Sequence, residues 1–206
     1  MAGVARSISK FLNRPMQDTF IQDKTFDRND FTLTPLTKSE YENCIFNNCN
    51  FADNNLSGYK FTDCTFRGCN LSLAKLDRTV FRDIQFKDCK MLGLRFDTCH
   101  ELGLSFSFDS CQLNHASFYR TKIKKTVFKD CQLQETDFAE ADLTSAVFDN
   151  CHLAQAAFDH TTLEKADFRT SHHYSIDPET NRIKKARFSI LGVAGLLDKY
   201  DIDIER

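Results

Sequence analysis

Nine cysteines and six histidines are the side chains in this chain best suited to chemistry. The cysteines are Cys44, Cys49, Cys64, Cys69, Cys89, Cys99, Cys111, Cys131 and Cys151. Thiolates ligate zinc, exchange disulfides and attack electrophiles, and each task needs a partner at a suitable spacing. Zinc sites favour close pairs such as C-x2-C, and the sequence has none. Instead Cys49, Cys69 and Cys89 stand twenty residues apart, as do Cys111, Cys131 and Cys151. That regularity assigns the thiols to packing, where free cysteine behaves as a small hydrophobe.

The remaining candidates reduce in the same way. His172 and His173, with Asp177 nearby, are metal-ligating types, but the turn signal over 177–181 makes a surface loop the simpler reading. No metal or cofactor is therefore expected. Arg120, Lys122, Lys124 and Lys125 form a basic cluster that reads as a solvated face rather than a phosphate site. There is no glycine-rich phosphate loop and no nucleophile elbow. Asp137, Asp142 and Asp167 recur with the repeat described below, so they are assigned to the backbone rather than to acid–base work. With no catalytic constellation, the chain is not expected to be an enzyme.

The elements that carry these residues follow from a five-residue period. Every fifth residue from Ile21 to Phe96, and again from Phe108 to Phe168, is apolar or aromatic. Seventeen of the twenty phenylalanines fall on these centres, counting Phe188. Five residues match neither the 3.6-residue helix nor the two-residue strand, so the chain must turn at every unit. Two residues before each centre stands a small side chain, as in Cys131, Thr136, Ala141 and Ala146.

The cysteine columns and the Phe26, Phe46, Phe66, Phe86 column both repeat at twenty, so four units make one coil. Both columns step once by twenty-two, which places a two-residue insertion within 97–107. The prediction is a stacked four-sided β-solenoid of about eight coils spaced by about 4.8 Å, with its ends capped.

The ends depart from the pattern. Residues 1–18 form an extension or cap. Their Val4, Ile8, Phe11 and Leu12 with Arg6, Lys10 and Arg14 suit an amphipathic capping helix, a targeting segment, or a leader before an internal start at Met16. The β-helix spans 19–170. Residues 171–188 are either a degenerate coil or a loop, since Phe188 keeps the twenty-residue step. Ser189 is a candidate N-cap for a C-terminal helix weakened by Gly192 and Gly195, and 201–204 alternate as a short strand would. The apolar excess at Ile190, Leu191, Leu196, Leu197, Tyr200, Ile202 and Ile204 predicts a homodimer through the C-terminal region.

Formal charge is −2, so no overall field attracts nucleic acid or an anionic membrane. Residues 21–168 hold 22 acids and 17 bases, a net of −5. No apolar stretch approaches the roughly 18 residues of a membrane span, and the expectation is a cytoplasmic protein.

Ala141-Asp142-Leu143-Thr144-Ser145 and Ala166-Asp167-Phe168-Arg169-Thr170 resemble the A(D/N)LXX unit of the pentapeptide-repeat proteins. That resemblance implies an all-β fold, a right-handed quadrilateral β-helix with a C-terminal capping helix. Within the family the sequence is similar to the quinolone-resistance (Qnr-type) members. They dimerise through their C-terminal ends, mimic duplex DNA and bind DNA gyrase or topoisomerase IV, giving antibiotic resistance. Two features depart from that pattern. Residues just after the Phe centres alternate in sign, with Asp27, Arg67, Lys87, Asp109, Lys129, Asp149 and Arg169, and the excursion at 97–107 is small. The second reading is a scaffold that binds some other protein.

Overall fold

The structure, a computed structural model, describes residues 19–204, so the extension or cap expected over 1–18 lies outside the described residues. The turn demanded by the five-residue period is made by left-handed backbone. Two residues past most centres φ is positive, from Arg28 (53°) and Asn48 (52°) through Asp130 (52°) to Lys165 (60°). For a residue with a Cβ this conformation costs roughly 1–2 kcal/mol. The stack of coils offsets that cost, because a straight continuation would carry the next centre out of the core.

Between corners the segments are short strands joined in two parallel sheets. The first holds β1 (Thr19–Gln22), β3 (Ser39–Glu42), β5 (Lys60–Thr62) and β7 (Val80–Arg82). The second holds β2 (Thr25–Asp27), β4 (Ile45–Asn47), β6 (Thr65–Arg67), β8 (Ile84–Lys87), β9 (Phe106–Asp109), β10 (Val127–Lys129) and β11 (Val147–Asp149). The other two faces are joined by single bridges, such as Asn50 to Asn70 and Ser117 to Asp137. Seven strands of the second sheet enclose six strand-paired turns, against about eight coils expected. Past β11 the same face continues only as the bridges Val147 to Asp167 and Asp167 to Arg187.

Register locates the insertion. Phe46 faces Phe66 and Phe66 faces Phe86, but Phe86 faces Phe108. The amide of His100 still bonds the carbonyl of Thr79, as regular coils do, whereas Ser105 donates to Phe81 and its hydroxyl meets Asp83 at 2.8 Å. The two extra residues therefore enter between His100 and Ser105, as an outward turn that follows a short 3-10 turn at Phe96–Thr98. On this face the first sheet ends at β7, and half-buried Leu104 packs against the core. Phe106, which no column predicts, fills the widened coil against Phe96 and Phe108 at 5.2 and 5.1 Å.

The core is a single column of side chains. Along the second sheet the rings from Phe26 to Phe188 stack at centroid spacings of 4.5 to 5.5 Å. Neighbouring faces meet edge to face, as Phe118 does with Phe128 at 5.8 Å and 85°. Both arrangements suit the aromatic quadrupole.

Residues 171–188 form a last, degenerate coil. His152 bridges His172, Thr162 bridges Arg182, and Phe168 stacks on Phe188 at 5.5 Å. Tyr174 and Ile176 are buried in place of the regular centres, and the Asn181 side chain fills the small position. Ser189 caps the helix that follows, accepting from Gly192 N at 3.1 Å. That cap is a 3-10 helix over Ile190–Leu196, continued by a turn at Asp198–Tyr200. The strand anticipated over 201–204 does not form: Asp201 is left-handed, and among the described residues no strand pairs with this segment.

Candidate functional site

The nine thiols are buried and free, and the structure gives their columns a reason beyond size. At most corners the residue two before a centre donates its backbone N–H to the preceding centre, as Ala74 does to Leu71 and Ala141 to Phe138. At the corners holding the cysteine column that turn bond is absent, which leaves the carbonyl of each Phe centre without it. The residue in the next coil supplies the donor instead: Cys69 Sγ to Phe46 O at 3.2 Å, Cys89 to Phe66 at 3.4 Å, Cys151 to Phe128 at 3.3 Å. Ser171 does the same for Phe148 at 2.7 Å, and Asn181 for Phe158 at 2.9 Å. Cys99 is the informative exception, because its amide bonds Phe96 O as an alanine's would. Burial pushes the Cys64 thiol up to about 12, far from a reactive thiolate.

The aspartates before the centres also serve the backbone. Asp137 accepts from Ala139 N at 2.9 Å, Asp142 from Thr144 N at 3.1 Å and Asp167 from Arg169 N at 3.2 Å. These are local turns in which the carboxylate bonds the chain two residues on. Within the basic cluster, Arg120 clasps Glu140 through two bonds of 2.7 and 3.0 Å, and Lys124 meets Asp142 at 3.1 Å. Arg169 likewise pairs with Asp167, and Lys60 with Glu40. Much of the outward charge is thus cancelled within a coil or between neighbouring coils.

A third group was only partly visible in the sequence. His152, His172 and His173 lie together, with ligand atoms all within 4.8 Å of one another. His152 and His172 occupy one column in neighbouring coils, and the left-handed φ of 60° at His173 turns its ring to the same side. Asp177 is not in this group: it caps Glu179 N and pairs with Lys199 at 2.8 Å, which holds its carboxyl below the usual range. Partial burial, with His152 and His173 alongside, lowers the pKa of His172. The signal that could have found His152 is its twenty-residue distance from His172.

At the C-terminal end, Ile190 and Leu191 are 88% and 87% exposed, and Val193, Tyr200, Ile202 and Ile204 are exposed as well. Leu196 instead packs half-buried against the core, and Leu197 is half-buried. The cap is tied to the last coil by Lys199 with Asp177 and Glu179, and by the Tyr200 hydroxyl donating to Glu179 at 3.0 Å. No helix among the described residues is long and apolar enough to cross a membrane.

The family model of the pentapeptide repeat region matches residues 36–107 and 104–173, about two thirds of the chain. The chain belongs to the pentapeptide-repeat proteins. No curated protein matches the sequence of this pentapeptide-repeat protein. Its fold is similar to a trypsin-treated form of QnrB1, a plasmid-mediated fluoroquinolone resistance protein, at a TM-score of 0.55 and 16% identity. That match covers 92% of this chain and 100% of the other. Full-length QnrB1 matches at a TM-score of 0.43 and 18% identity, covering 89% of this chain and 100% of that one. HetL, involved in heterocyst differentiation regulation in the cyanobacterium Nostoc, matches at 0.43 and 12%, covering 85% and 86%. At 16% identity the first of these likenesses speaks for the fold alone.

Proposed function

We propose that this pentapeptide-repeat protein is a non-enzymatic protein-binding rod in the cytoplasm, where nine free thiols stay reduced. Its proposed partner is a type II topoisomerase, DNA gyrase or topoisomerase IV. The observation that carries this reading is the likeness to QnrB1 over the whole of that chain. A four-sided rod of this kind offers an enzyme a duplex-like outline, and occupying the DNA site would protect it from quinolones or toxins. The exposed apolar residues Ile190, Leu191, Tyr200, Ile202 and Ile204 support a homodimer through the C-terminal caps. Light scattering at micromolar concentration should return twice the chain mass; a monomer would overturn the dimer.

A specific observation favours the second reading, a scaffold for another protein. Duplex phosphates lie about 1.7 Å apart along the axis. Here Glu140, Asp142 and Asp167 are each neutralised by Arg120, Lys124 and Arg169, so the acidic charge is not a continuous stripe. A supercoiling assay with purified gyrase and ciprofloxacin separates the two. Rescue or inhibition by the protein supports the topoisomerase reading, and neither effect at saturating protein refutes it.

A further inference from the structure

We propose that His152, His172 and His173 form a binding site for a divalent late first-row transition metal, with Zn2+ as the ion that suits them. The three rings approach with centroids 5.1, 4.6 and 4.9 Å apart, and their ligand atoms all lie within 4.8 Å. Neutral imidazole is a favoured ligand of zinc, copper and nickel. Zn–N bonds of about 2.0–2.1 Å at tetrahedral angles put nitrogens about 3.3–3.4 Å apart, so the ligand atoms close in by up to about 1.5 Å. His172 and His173 are exposed and free to rotate that far. Three protein ligands leave a fourth position for water, the open arrangement of many zinc sites.

The backbone holds the three in place without relying on the metal. His152 and His172 are a bridged pair in successive coils, so their Cα atoms are fixed by the stack. His173 stands twenty residues after the buried centre Leu153. Its left-handed φ takes it out of the core, and Tyr174 fills the vacated place. The amide of Ala154 lies 3.5 Å from His152 Nδ1, at the limit of hydrogen bonding, and does not commit the ring to one tautomer.

Other histidines are spoken for: His115 faces Glu135 at 3.3 Å, His160 faces Asp159 at 2.9 Å, and His100 Nδ1 accepts from Leu102 N. Beside His173, Tyr174 and Asp198 help line a hollow of about 330 Å³ under the cap. The Tyr174 hydroxyl is buried with no hydrogen-bond partner among the described residues. An ion here would pin the last coil to the one before it, where the second sheet has thinned to single bridges.

The test uses the full chain without an affinity tag, titrated with ZnCl2 in calorimetry and melted with and without the ion. One ion per chain and a Tm rise of about 5 °C or more at a hundredfold excess over Kd are expected, from mass action on a folded-state site. His172→Ala and His152→Ala should abolish both, whereas His115→Ala and His160→Ala should leave both intact. Because His172 is exposed, its variant should keep the native far-UV spectrum. A second readout needs no variant: Co2+ should give a visible d–d spectrum without a thiolate charge-transfer band. Absence of binding, binding that survives His152→Ala/His172→Ala, or a thiolate band would each overturn the site.

Discussion

The amide of Ile176 donates to the carbonyl of Gly195 at 2.8 Å, a contact that seats the C-terminal cap directly on the last coil. A Cβ on Gly195 would run into the carbonyl oxygen of Tyr174, and one on Gly192 into the Tyr174 hydroxyl. Helix propensity alone counts each glycine as a loss of about 1 kcal/mol, yet docking requires both. Gly195→Ala should therefore lift the cap: limited proteolysis is expected to cut beyond residue 188 while the coils stay protected. A digestion pattern identical to the native one would contradict this.

Phe128 is fully buried and stacks on Phe108 and Phe148 at 5.1 and 4.9 Å. Its rigid neighbours cannot collapse into the space it leaves. Phe128→Ala should cost about 3–5 kcal/mol in denaturant unfolding. A loss below about 1 kcal/mol would mean the column relaxes.

Cys89 donates to a Phe66 carbonyl that lacks the turn bond present at alanine corners. Cys89→Ser should be nearly neutral, since Ser171 already fills the same role, while Cys89→Ala should lose about 1 kcal/mol or more by orphaning the acceptor. Equal stability of the two variants in urea would remove the hydrogen bond from the explanation.

Burial raises the Cys64 pKa from 9.0 to about 12. A raised acid pKa means the unfolded chain ionises first, so this stabilisation is complete below pH 9 and is lost as pH rises towards 12. Native protein should lose stability more steeply over that window than Cys64→Ser, which has no thiol to ionise. Parallel curves would show that Cys64 titrates normally.

Leu73 is left-handed, with φ of 58°, and 60% exposed. Glycine adopts that backbone without the Cβ penalty but is freer when unfolded, so Leu73→Gly should stabilise by about 0.5–1 kcal/mol. A fall in Tm would show that the exposed side chain contributes packing.

The regular coils were legible because one residue type answers one position: an inward centre must be large and apolar, and the position two before it must be small. The twenty-two-residue step likewise foretold the slip that the Phe86–Phe108 pairing shows. Legibility fails where another side chain satisfies the same demand. Asn181 bonds the Phe158 carbonyl as a cysteine or serine would, and Tyr174 fills the core from one position late, so the final coil resembles a loop in sequence. The histidine cluster was half visible for a related reason. His172 and His173 are adjacent in sequence, but His152 joins them only through the stacking period, and Asp177 is drawn away by Lys199.

The insertion between His100 and Ser105 breaks one sheet and leaves the other continuous from β2 to β11. In a solenoid each coil contacts only its neighbours, so a pull between the two ends passes through every level in series. The level at β7 and β9 transmits that tension with one face lacking its strand pairing. Among the levels that the second sheet holds by strand pairing, this is therefore the one at which a loaded rod should part, into two shorter stacks that each keep their own aromatic column.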